Sequence, residues 1–206
     1  DDPFPQVDGA GYARLQAAGI QVERGLCRSE AEELNTGFLS RIRRGQPWIR
    51  VKLGMSLDGR TALADGRSQW ITSVAARADV QHWRARSSAV LTGIGTVLAD
   101  DPRLDVRLPG LDRRQPERVV LDPHGRMPEG SRLLAIPAPV LWITGPRIPV
   151  RRTPAHLEHL SMPLEAGRLP LAQVAQALGS RGHNEILVEA GARLAGGFVA
   201  KGLANE

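Results

Sequence analysis

The stretch AVLTGIGTVLADDPRLDVR, residues 89–107, decides the fold that this sequence predicts. It opens with a short apolar run, passes through a turn with two glycines, and ends with two aspartates and well-spaced basic side chains. An apolar run of this kind that stops at turn residues is typical of a buried strand in an α/β sheet. Because such sheets bind ligands just beyond the carboxyl ends of their strands, we expect a ligand beside Gly93, Gly95 and Thr96.

The composition is that of a globular protein with a real core. The 206 residues are 42% hydrophobic and 24% charged, which allows one substantial domain, or one domain and a fragment of another. No apolar run approaches the length that spans a membrane, and the acidic start DDPFPQVDG is unlike a secretory signal or a transit peptide. We therefore expect a cytoplasmic protein with no membrane partner.

Neither metal nor nucleic acid is expected as a partner. Cys27 is the only cysteine, which excludes an internal disulfide, and the five histidines are scattered. His156 and His159 stand three residues apart without a third ligand nearby, and we interpret them as solvated side chains in a proline-flanked loop. The net charge of +5 comes from scattered arginines without a lysine-rich tail or an aromatic RNA-binding motif, and a basic surface of this kind also serves small phosphorylated anions.

The first 45 residues differ in pattern from the rest of the chain. A short helix is expected around Tyr12 and Leu15 with a break at Gly19, then a strand over 21–26 and a helix over 30–43. These pieces carry no obvious catalytic group. The charged turn 43–47 contains glycine and proline and predicts a domain boundary, so the main domain is expected to begin at Trp48.

From residue 48 onward the pattern alternates between strands and helices. Strands are predicted over 49–55, 89–92, 118–121, 140–143 and 185–189, and helices over 73–87, 169–178 and 192–201. Thr72 or Ser73 is suited to cap the first of these helices, whose apolar stripe is Ala76, Val80 and Trp83. This alternation predicts a layered α/β domain.

Charged side chains near the strand ends are candidates for a site. Lys52 lies inside an apolar strand, where it either snorkels from a sheet edge or points its ammonium into a pocket that binds an anion. Arg77 and Arg84 flank the apolar stripe and are either solvated or able to reach a phosphate. The segment 189–191 joins a strand end to a helix start, a geometry that binds phosphate through free backbone N–H groups and the helix dipole.

Four separated motifs carry a family resemblance: KLGMSLDGRTA at 52–62, SQWITS at 68–73, LTGIGTVLADDPRL at 91–104 and VEAGARLAG at 188–196. Together they closely resemble the reductase domain of the RibD family, the bifunctional deaminase and reductase of riboflavin biosynthesis. The resemblance runs in one order from about residue 48 to residue 206, and residues 1–45 resemble the tail of the same family's deaminase domain.

The resemblance implies a fold and an activity. The fold would be α/β and dihydrofolate-reductase-like, with three layers and a mostly parallel central sheet, preceded over 1–45 by a short α/β remnant of a cytidine-deaminase-like domain. Residues 46–206 would form the reductase domain, incomplete at its C-terminus. The implied reaction is the NADPH-dependent reduction of the ribosylamino group of 5-amino-6-(5-phosphoribosylamino)uracil to a ribitylamino group.

Matched position by position, the family's site residues fall into two overlapping groups. The implied cofactor contacts are Gly54, Trp70, Gly93, Thr96, Asp100, Gly191, Ala192, Arg193, Leu194, Ala195, Gly196 and Gly197. The implied substrate contacts are Lys52, Ser68, Arg84, Leu104, Arg107 and Glu189. Arg84 and Arg107 would clamp the substrate phosphate. The catalytic candidates are Lys52 and Glu189, and one of them or a bound water would handle the proton that the sugar-bearing nitrogen gains.

The sequence also departs from the family pattern. Pro123 stands where relatives often have a serine that contacts the cofactor, and Ala192 and Arg193 replace a more usual Pro-Thr pair. The zinc motifs of the deaminase are missing, so zinc is expected only with a deaminase domain fused upstream. Relatives continue beyond Glu206, so we expect this sequence to be a portion of a longer protein or to omit disordered parts. The reductase domains of relatives commonly pair, which implies a homodimer. A reductase of another pterin or pyrimidine, and a non-catalytic nucleotide-binding domain, remain open alternatives.

Overall fold

A parallel sheet of six strands forms the centre of the protein, in the order β1-β6-β2-β3-β4-β5. The computed structural model describes residues 2–68, 70–111, 114–149 and 154–206, so Asp1 of the predicted N-terminal segment and Gln69 of the second motif lie outside the description. The strands are β1 (Trp48–Lys52), β2 (Ala89–Gly93), β3 (Glu117–Asp122), β4 (Val140–Thr144), β5 (Leu157–Ser161) and β6 (Glu185–Glu189). The predicted α/β fold with a mostly parallel central sheet is confirmed.

Helices flank the sheet and precede it. In the described part of the chain they are α1 (Ala10–Ala17), α2 (Arg28–Leu34), α3 (Thr36–Arg44), α4 (Val74–Arg86), α5 (Ile94–Asp100), α6 (Leu171–Ser180) and α7 (Ala192–Ala200), with a 3-10 helix over Arg132–Ala135. The Oγ of Ser73 accepts a hydrogen bond from the backbone N–H of Ala76 at 3.1 Å, which caps α4 as predicted. None of the described helices is long and apolar enough to cross a membrane.

The two faces of the sheet differ in chemistry because successive side chains of a strand point to opposite faces. On one face, the apolar face, alternate residues of five strands form the main core under α6 and α7, where Leu178 and Phe198 are buried. The other face, the polar face, lies under α4 and α5 and carries the charged and hydroxyl side chains of the same strands. These are Arg50, Lys52, Thr92, Arg118, Asp122, Thr144, Glu185 and Glu189. Side chains able to do chemistry are therefore concentrated on the polar face.

The fifth strand corrects the sequence interpretation of the two histidines. Residues 154–161 do not form a solvated loop, because Leu157–Ser161 pairs with β4 as an edge strand. The Nε2 atom of His159 lies 2.8 Å from the Oγ1 of Thr144, and its ring centroid is 5.1 Å from that of Trp142. His156 Nε2 lies 3.1 Å from the carbonyl oxygen of Leu134. Short edge strands with charged residues give little periodic signal, which explains the error.

The regular secondary structure of the N-terminal segment, residues 2–45, consists of helices joined by irregular stretches, and no deaminase remnant is evident in it. The predicted strand over 21–26 does not form, since no neighbouring strand offers it backbone partners. The predicted helix over 30–43 is two helices, because Asn35, with φ of −119°, interrupts it. Neither α1 nor α2 buries a residue, so tertiary packing does not hold them against the sheet.

Two further local predictions are wrong. The turn expected at 93–96 is a helix start, because α5 begins at Ile94 directly after β2. The expected apolar stripe of α4 is not its buried side: Ala76 is exposed, Val80 and Trp83 are half-buried, and the buried residue of the helix is Arg84. At the outer edge of β1, Asn205 and Glu206 form backbone hydrogen bonds of 2.8 Å with Ile49 and Val51.

The side chain of Arg118 holds the 3-10 helix Arg132–Ala135 and the residues after it against the polar face through hydrogen bonds. Its side chain is 1% exposed, and its guanidinium donates hydrogen bonds to the carbonyl oxygens of Leu133 at 2.8 Å, Ile136 at 3.3 Å and Ala138. Burial lowers the pKa of this guanidinium, which shows how far it is withdrawn from water. Three carbonyl oxygens of the segment 133–138, those of Leu133, Ile136 and Ala138, therefore accept hydrogen bonds from one cation.

We predict that Arg118→Met lowers the free energy of unfolding by about 3 kcal/mol, because several buried carbonyl oxygens would lose their donor. Urea denaturation with fluorescence detection measures this change. Arg43→Met is the matched control, since Arg43 lies on the exposed side of α3. A destabilisation of Arg118→Met no larger than that of the control would contradict the assigned role.

Candidate functional site

A cavity of about 1190 Å³ opens at the carboxyl ends of β1, β2, β3 and β6. Its walls are the loop after β1, helix α5, the loops after β3 and β5, and the start of α7. Pockets for a single small ligand usually measure about 300–1,000 Å³. The cavity therefore has room for more than one small molecule, and it lies where parallel sheets bind ligands.

Most of the residues singled out from the sequence line this cavity. From the implied cofactor contacts these are Gly54, Trp70, Gly93, Thr96, Asp100, Gly191, Ala192, Arg193, Leu194 and Gly197. From the implied substrate contacts they are Lys52, Ser68, Arg84, Leu104 and Glu189. Three residues are placed elsewhere: Ala195 is buried in the core, Gly196 is exposed on α7, and Arg107 lies on the loop after α5 outside the cavity wall. The roles of all these residues stay predictions.

Glycines bring two helix starts together at the cavity. A Cβ added at Gly93 would lie 3.1 Å from the Cδ2 of Leu194, so the first turns of α5 and α7 are in close contact. A Cβ added at Gly95 or Gly191 would have no atom within 4 Å and would occupy open space. The strands that precede these helices, β2 and β6, are neighbours at the point where the chain order of the sheet reverses. Such switch points are the usual ligand sites of open α/β sheets.

Lys52 and Glu189 are register partners at the ends of β1 and β6. Both side chains project from the polar face and line the cavity. The Lys52 ammonium forms no hydrogen bond or ion pair with any other residue that the structure describes. The carboxylate of Glu189, in contrast, accepts one hydrogen bond from Arg84 on each of its two oxygens. An unpaired cation therefore lies next to a paired anion at the base of the cavity.

Arg84 holds three elements together from the buried side of α4. Its Nε and second terminal nitrogen donate to the two carboxylate oxygens of Glu189 at 2.6 and 3.0 Å. Its remaining terminal nitrogen donates to the backbone carbonyl of Asp105 at 3.0 Å. The side chains of Arg84 and Glu189 are each 11% exposed. Because Arg84 is committed to this fork, it has few N–H groups left with which to clamp a phosphate.

The sequence matches the model of the RibD C-terminal domain over residues 47–206. The chain belongs to the RibD family. The riboflavin biosynthesis protein RibD of Escherichia coli is 47% identical over the whole chain, and that of Haemophilus influenzae is 40% identical. The chain covers 59% and 57% of those two proteins, so it spans little more than half their length.

Solved structures agree with this assignment. Acinetobacter baumannii RibD has a TM-score of 0.86 at 43% identity, over 98% of this chain and 56% of that one. A Thermotoga maritima protein, named a diaminohydroxyphosphoribosylaminopyrimidine deaminase and 5-amino-6-(5-phosphoribosylamino)uracil reductase, has a TM-score of 0.83 at 31% identity, over 97% and 54% of the chains. The Saccharomyces cerevisiae reductase Rib7, at 16% identity and a TM-score of 0.65, shares the fold. The resemblance to RibD seen in the four motifs is confirmed.

Cations dominate the cavity of this RibD domain. Among the described lining residues the basic side chains are Lys52, Arg77, Arg84, Arg126, Arg168, Arg193 and Lys201, while the acidic ones are Asp100, Glu165 and Glu189. His124 lies beside Arg126 in the wall, where Pro123 begins the loop after β3. Walls of this charge attract anionic ligands. No group of three or more His, Cys, Asp or Glu side chains that could hold a metal ion occurs in the described ranges.

Trp70 forms an exposed edge of the cavity. Its side chain is 71% exposed, and the guanidinium of Arg77 lies 4.3 Å from the centre of its ring. Arg77 also donates to the carbonyl oxygen of Thr72 at 2.5 Å, which ties the end of the loop to α4. A flat ring held in this way offers a stacking surface for a heterocycle.

Sequence reasoning missed Asp105, which is 3% exposed in the loop between α5 and β3. Its Oδ2 accepts from the Nε of Arg103 at 2.9 Å, and its Oδ1 accepts from Arg107. Burial opposes the ionisation of Asp105, but the hydrogen bonds and charges of these two arginines outweigh it and hold the pKa of the carboxyl below its usual value. The alternation of charges in PRLDVR was the available signal, although spacing alone does not show that the aspartate is buried.

We predict that Asp105→Asn destabilises the protein at pH 7 by about 1–3 kcal/mol and that this difference depends on pH. The folded-state pKa is lowered, so the stabilisation by the carboxylate is complete above the unfolded pKa of about 3.9 and disappears as the pH falls through the folded value. Urea unfolding at several pH values should show a constant difference from pH 7 to about 5 and a shrinking one below about 4. A difference that stays constant down to pH 2 would refute this.

Proposed function

We propose that this chain is the NADPH-dependent reductase that converts 5-amino-6-(5-phosphoribosylamino)uracil to its ribitylamino product in riboflavin biosynthesis. The observation that carries the proposal is the unpaired ammonium of Lys52 beside Glu189 at the base of a cation-lined cavity with room for two ligands. Membership of the RibD family and the name of the Thermotoga maritima relative supply the substrate.

The described residues fit an anionic dinucleotide. Gly95 and Gly191 leave open space where any other residue would place a side chain, which lets the backbone approach a ligand closely. The backbone N–H groups of Ala192 and Arg193 are the first of α7 and have no partner within the helix, and both residues line the cavity, which suits a pyrophosphate. Arg126, Arg168 and Lys201 add positive charge along the wall. Trp70 supplies a ring surface for the nicotinamide or the pyrimidine.

The substrate is placed at the opposite end, over β1 and β6. Ser68 and the backbone of Leu104 would hold polar edges of the substrate, while its sugar carbon would lie above Lys52 and Glu189. The phosphate would then point toward the loop that carries Leu104 and Arg107. This arrangement brings the two ligands together along the stretch 89–107.

The sugar ring first opens to the imine, with cleavage of the bond between C1′ and the ring oxygen and transfer of the N–H proton to that oxygen; the imine then requires a hydride at C1′ and one proton at the nitrogen. NADPH, when bound, supplies the hydride. Lys52 carries a transferable proton on an ammonium with no competing partner among the described residues, so it is the proton donor to the sugar-bearing nitrogen. Glu189 is held in one orientation by Arg84 and keeps lone pairs free to accept hydrogen bonds from the substrate. Lys52, whose ammonium has no partner among the described residues, and Glu189, whose carboxylate is paired with Arg84, thus take different roles.

We predict that Lys52→Met lowers the rate of single-turnover hydride transfer by about 10²–10⁴-fold while NADPH affinity stays unchanged, because the proton donor is lost. Lys52→Arg keeps the charge but not a readily lost proton, and should be nearly as slow. Glu189→Gln should raise the KM, since Arg84 would lose its charged partner. Stopped-flow absorbance of NADPH oxidation gives these rates.

The same measurement separates the alternatives. NADPH binding without oxidation in the presence of this substrate would favour a reductase of another pterin or pyrimidine, or a non-catalytic nucleotide-binding domain. Normal hydride transfer in both Lys52→Met and Glu189→Gln would show that the assigned roles are wrong.

We predict that Gly95→Val weakens NADPH binding at least 10-fold without a loss of thermal stability, because the new side chain would fill open cavity space rather than strain the fold. Gly130→Val is the matched control, since a Cβ there also meets no atom within 4 Å but lies away from the cavity. Isothermal titration calorimetry measures both affinities. Equal NADPH affinities of the two variants would show that the cofactor does not bind against the wall at Gly95.

Partners beyond the two ligands are proposed from the family and from the surface of this chain. A homodimer is supported by large apolar side chains exposed on the loop between β1 and α4, such as Met55, Leu57 and Trp70. An upstream deaminase domain is supported by the greater length of the RibD relatives, and zinc would belong to that domain.

A further inference from the structure

The guanidinium of Arg77 covers one face of the Trp70 ring. It lies 4.3 Å from the centre of the ring, and both residues line the cavity. Because Trp70 is 71% exposed, the opposite face of its ring is open to a ligand. Trp70 therefore presents a single stacking face that has a cation behind it.

Arg77 also holds the end of the loop that carries Trp70. Most hydrogen bonds described for residues 53–72 lie within the loop itself. Arg77 lies near the start of α4 and donates from outside the loop to the carbonyl oxygen of Thr72 at 2.5 Å. One side chain thus fixes both the ring and the backbone from which the ring projects.

This loop end lies beside the residue that is proposed to donate the proton. A Cβ added at Gly54 would lie 3.5 Å from the Cγ2 of Thr72 and 3.9 Å from the Nζ of Lys52. Thr72, Gly54 and the Lys52 ammonium therefore lie around one point at the base of the cavity. Trp70 precedes Thr72 by two residues, so its ring borders the end of the cavity at which hydride transfer is proposed.

The positive charge of Arg77 has no carboxylate partner in the described part of the chain. Two other arginines of α4, Arg84 and Arg86, are both paired with glutamates. The charge behind the Trp70 ring is therefore uncompensated, and the unpaired ammonium of Lys52 adds a second positive charge at the same end of the cavity.

An aromatic ring with a cation on one face is a poor site for a second cation on the other face. A cation is attracted to the electron density of the ring, which the first cation already draws toward itself, and the two like charges repel each other across the ring. A neutral, electron-rich heterocycle meets no such repulsion. The open face of Trp70 therefore distinguishes heterocycles by their charge.

We propose that Arg77, acting through Trp70 as a positioning residue, makes the site select the reduced over the oxidised nicotinamide. The reduced ring is neutral, whereas transfer of its hydride to the sugar carbon leaves the ring with one positive charge. On the open face of Trp70 the reduced ring is attracted and the oxidised ring is repelled by the guanidinium behind it. Hydride transfer thereby weakens the binding of the cofactor and promotes its release.

This selection rests on the proposed function, because it places the nicotinamide rather than the pyrimidine on Trp70. The test compares the affinities of NADPH and NADP⁺, which differ only in the nicotinamide ring, by isothermal titration calorimetry on the full chain without substrate. The wild type should bind NADPH more tightly, and Arg77→Met should lower the ratio of the two affinities about 5-fold, because one nearby charge is removed. Contacts that both nucleotides share cancel in this ratio, so a general loosening of the loop does not change it.

Arg77→Lys separates the charge from the hydrogen bond. It keeps a cation beside the ring but lacks the planar guanidinium that covers the ring and reaches Thr72 together, so both affinities should fall while their ratio stays at the wild-type value. Arg86→Met is the matched control. Arg86 also lies on α4, with its guanidinium 5.7 Å from the centre of the Trp83 ring, but outside the cavity wall, so its loss should leave both affinities unchanged.

Turnover gives a second measurement of the same effect. The inhibition constant of NADP⁺ divided by the KM for NADPH should fall by a similar factor in Arg77→Met, so that the product inhibits this variant more strongly. An affinity ratio that is the same in Arg77→Met and in the wild type would overturn the role of Arg77 and leave the reductase proposal intact. A wild type that binds neither nucleotide would refute both proposals.

Discussion

The buried fork of Arg84 is the contact on which the site depends. It joins helix α4, the end of strand β6 and the loop after α5 through Glu189 and the carbonyl of Asp105. Removing one partner of a buried, hydrogen-bonded ion pair leaves an uncompensated charge, so the three elements are held in one arrangement. The free ammonium of Lys52 on one side and the arginine pair at Asp105 on the other keep their positions because of this fork.

The unequal faces of the sheet explain why these groups can be buried at all. The apolar face under α6 and α7 provides the hydrophobic core, while the polar face accommodates charged side chains that satisfy one another. Arg118 and Asp122 are also buried on this face with hydrogen-bond partners. Arg118 donates to carbonyl oxygens, and Asp122 accepts from Trp142 and from the N–H of Met127. The polar face thus contributes both to stability, through Arg118 and the apolar clusters around Val120 and Val90, and to the cavity, through Lys52 and Glu189.

Sequence patterns located the strands with continuous apolar runs, such as β2 and β6, and the motifs that place Lys52, Gly95 and Glu189 around one cavity. They did not find β5, because a short edge strand with polar residues at its centre resembles a loop. They also placed Trp83 rather than Arg84 on the buried side of α4, because helical spacing identifies a face but not the partner beneath it. The burial of Asp105 depends on Gln81, Arg84 and Gln115, which lie ten or more residues away, so local sequence could not reveal it.

The proposed reaction requires a reduced nicotinamide and the sugar carbon of a phosphoribosylamino pyrimidine to meet inside this cavity. The most direct measurement is transfer of deuterium from NADPH labelled at the nicotinamide C4 position, followed by NMR of the product. We expect deuterium at the C1′ carbon of the ribityl chain, in amounts equal to the NADPH oxidised. Oxidation of NADPH with no deuterium at that carbon would contradict the proposed reaction.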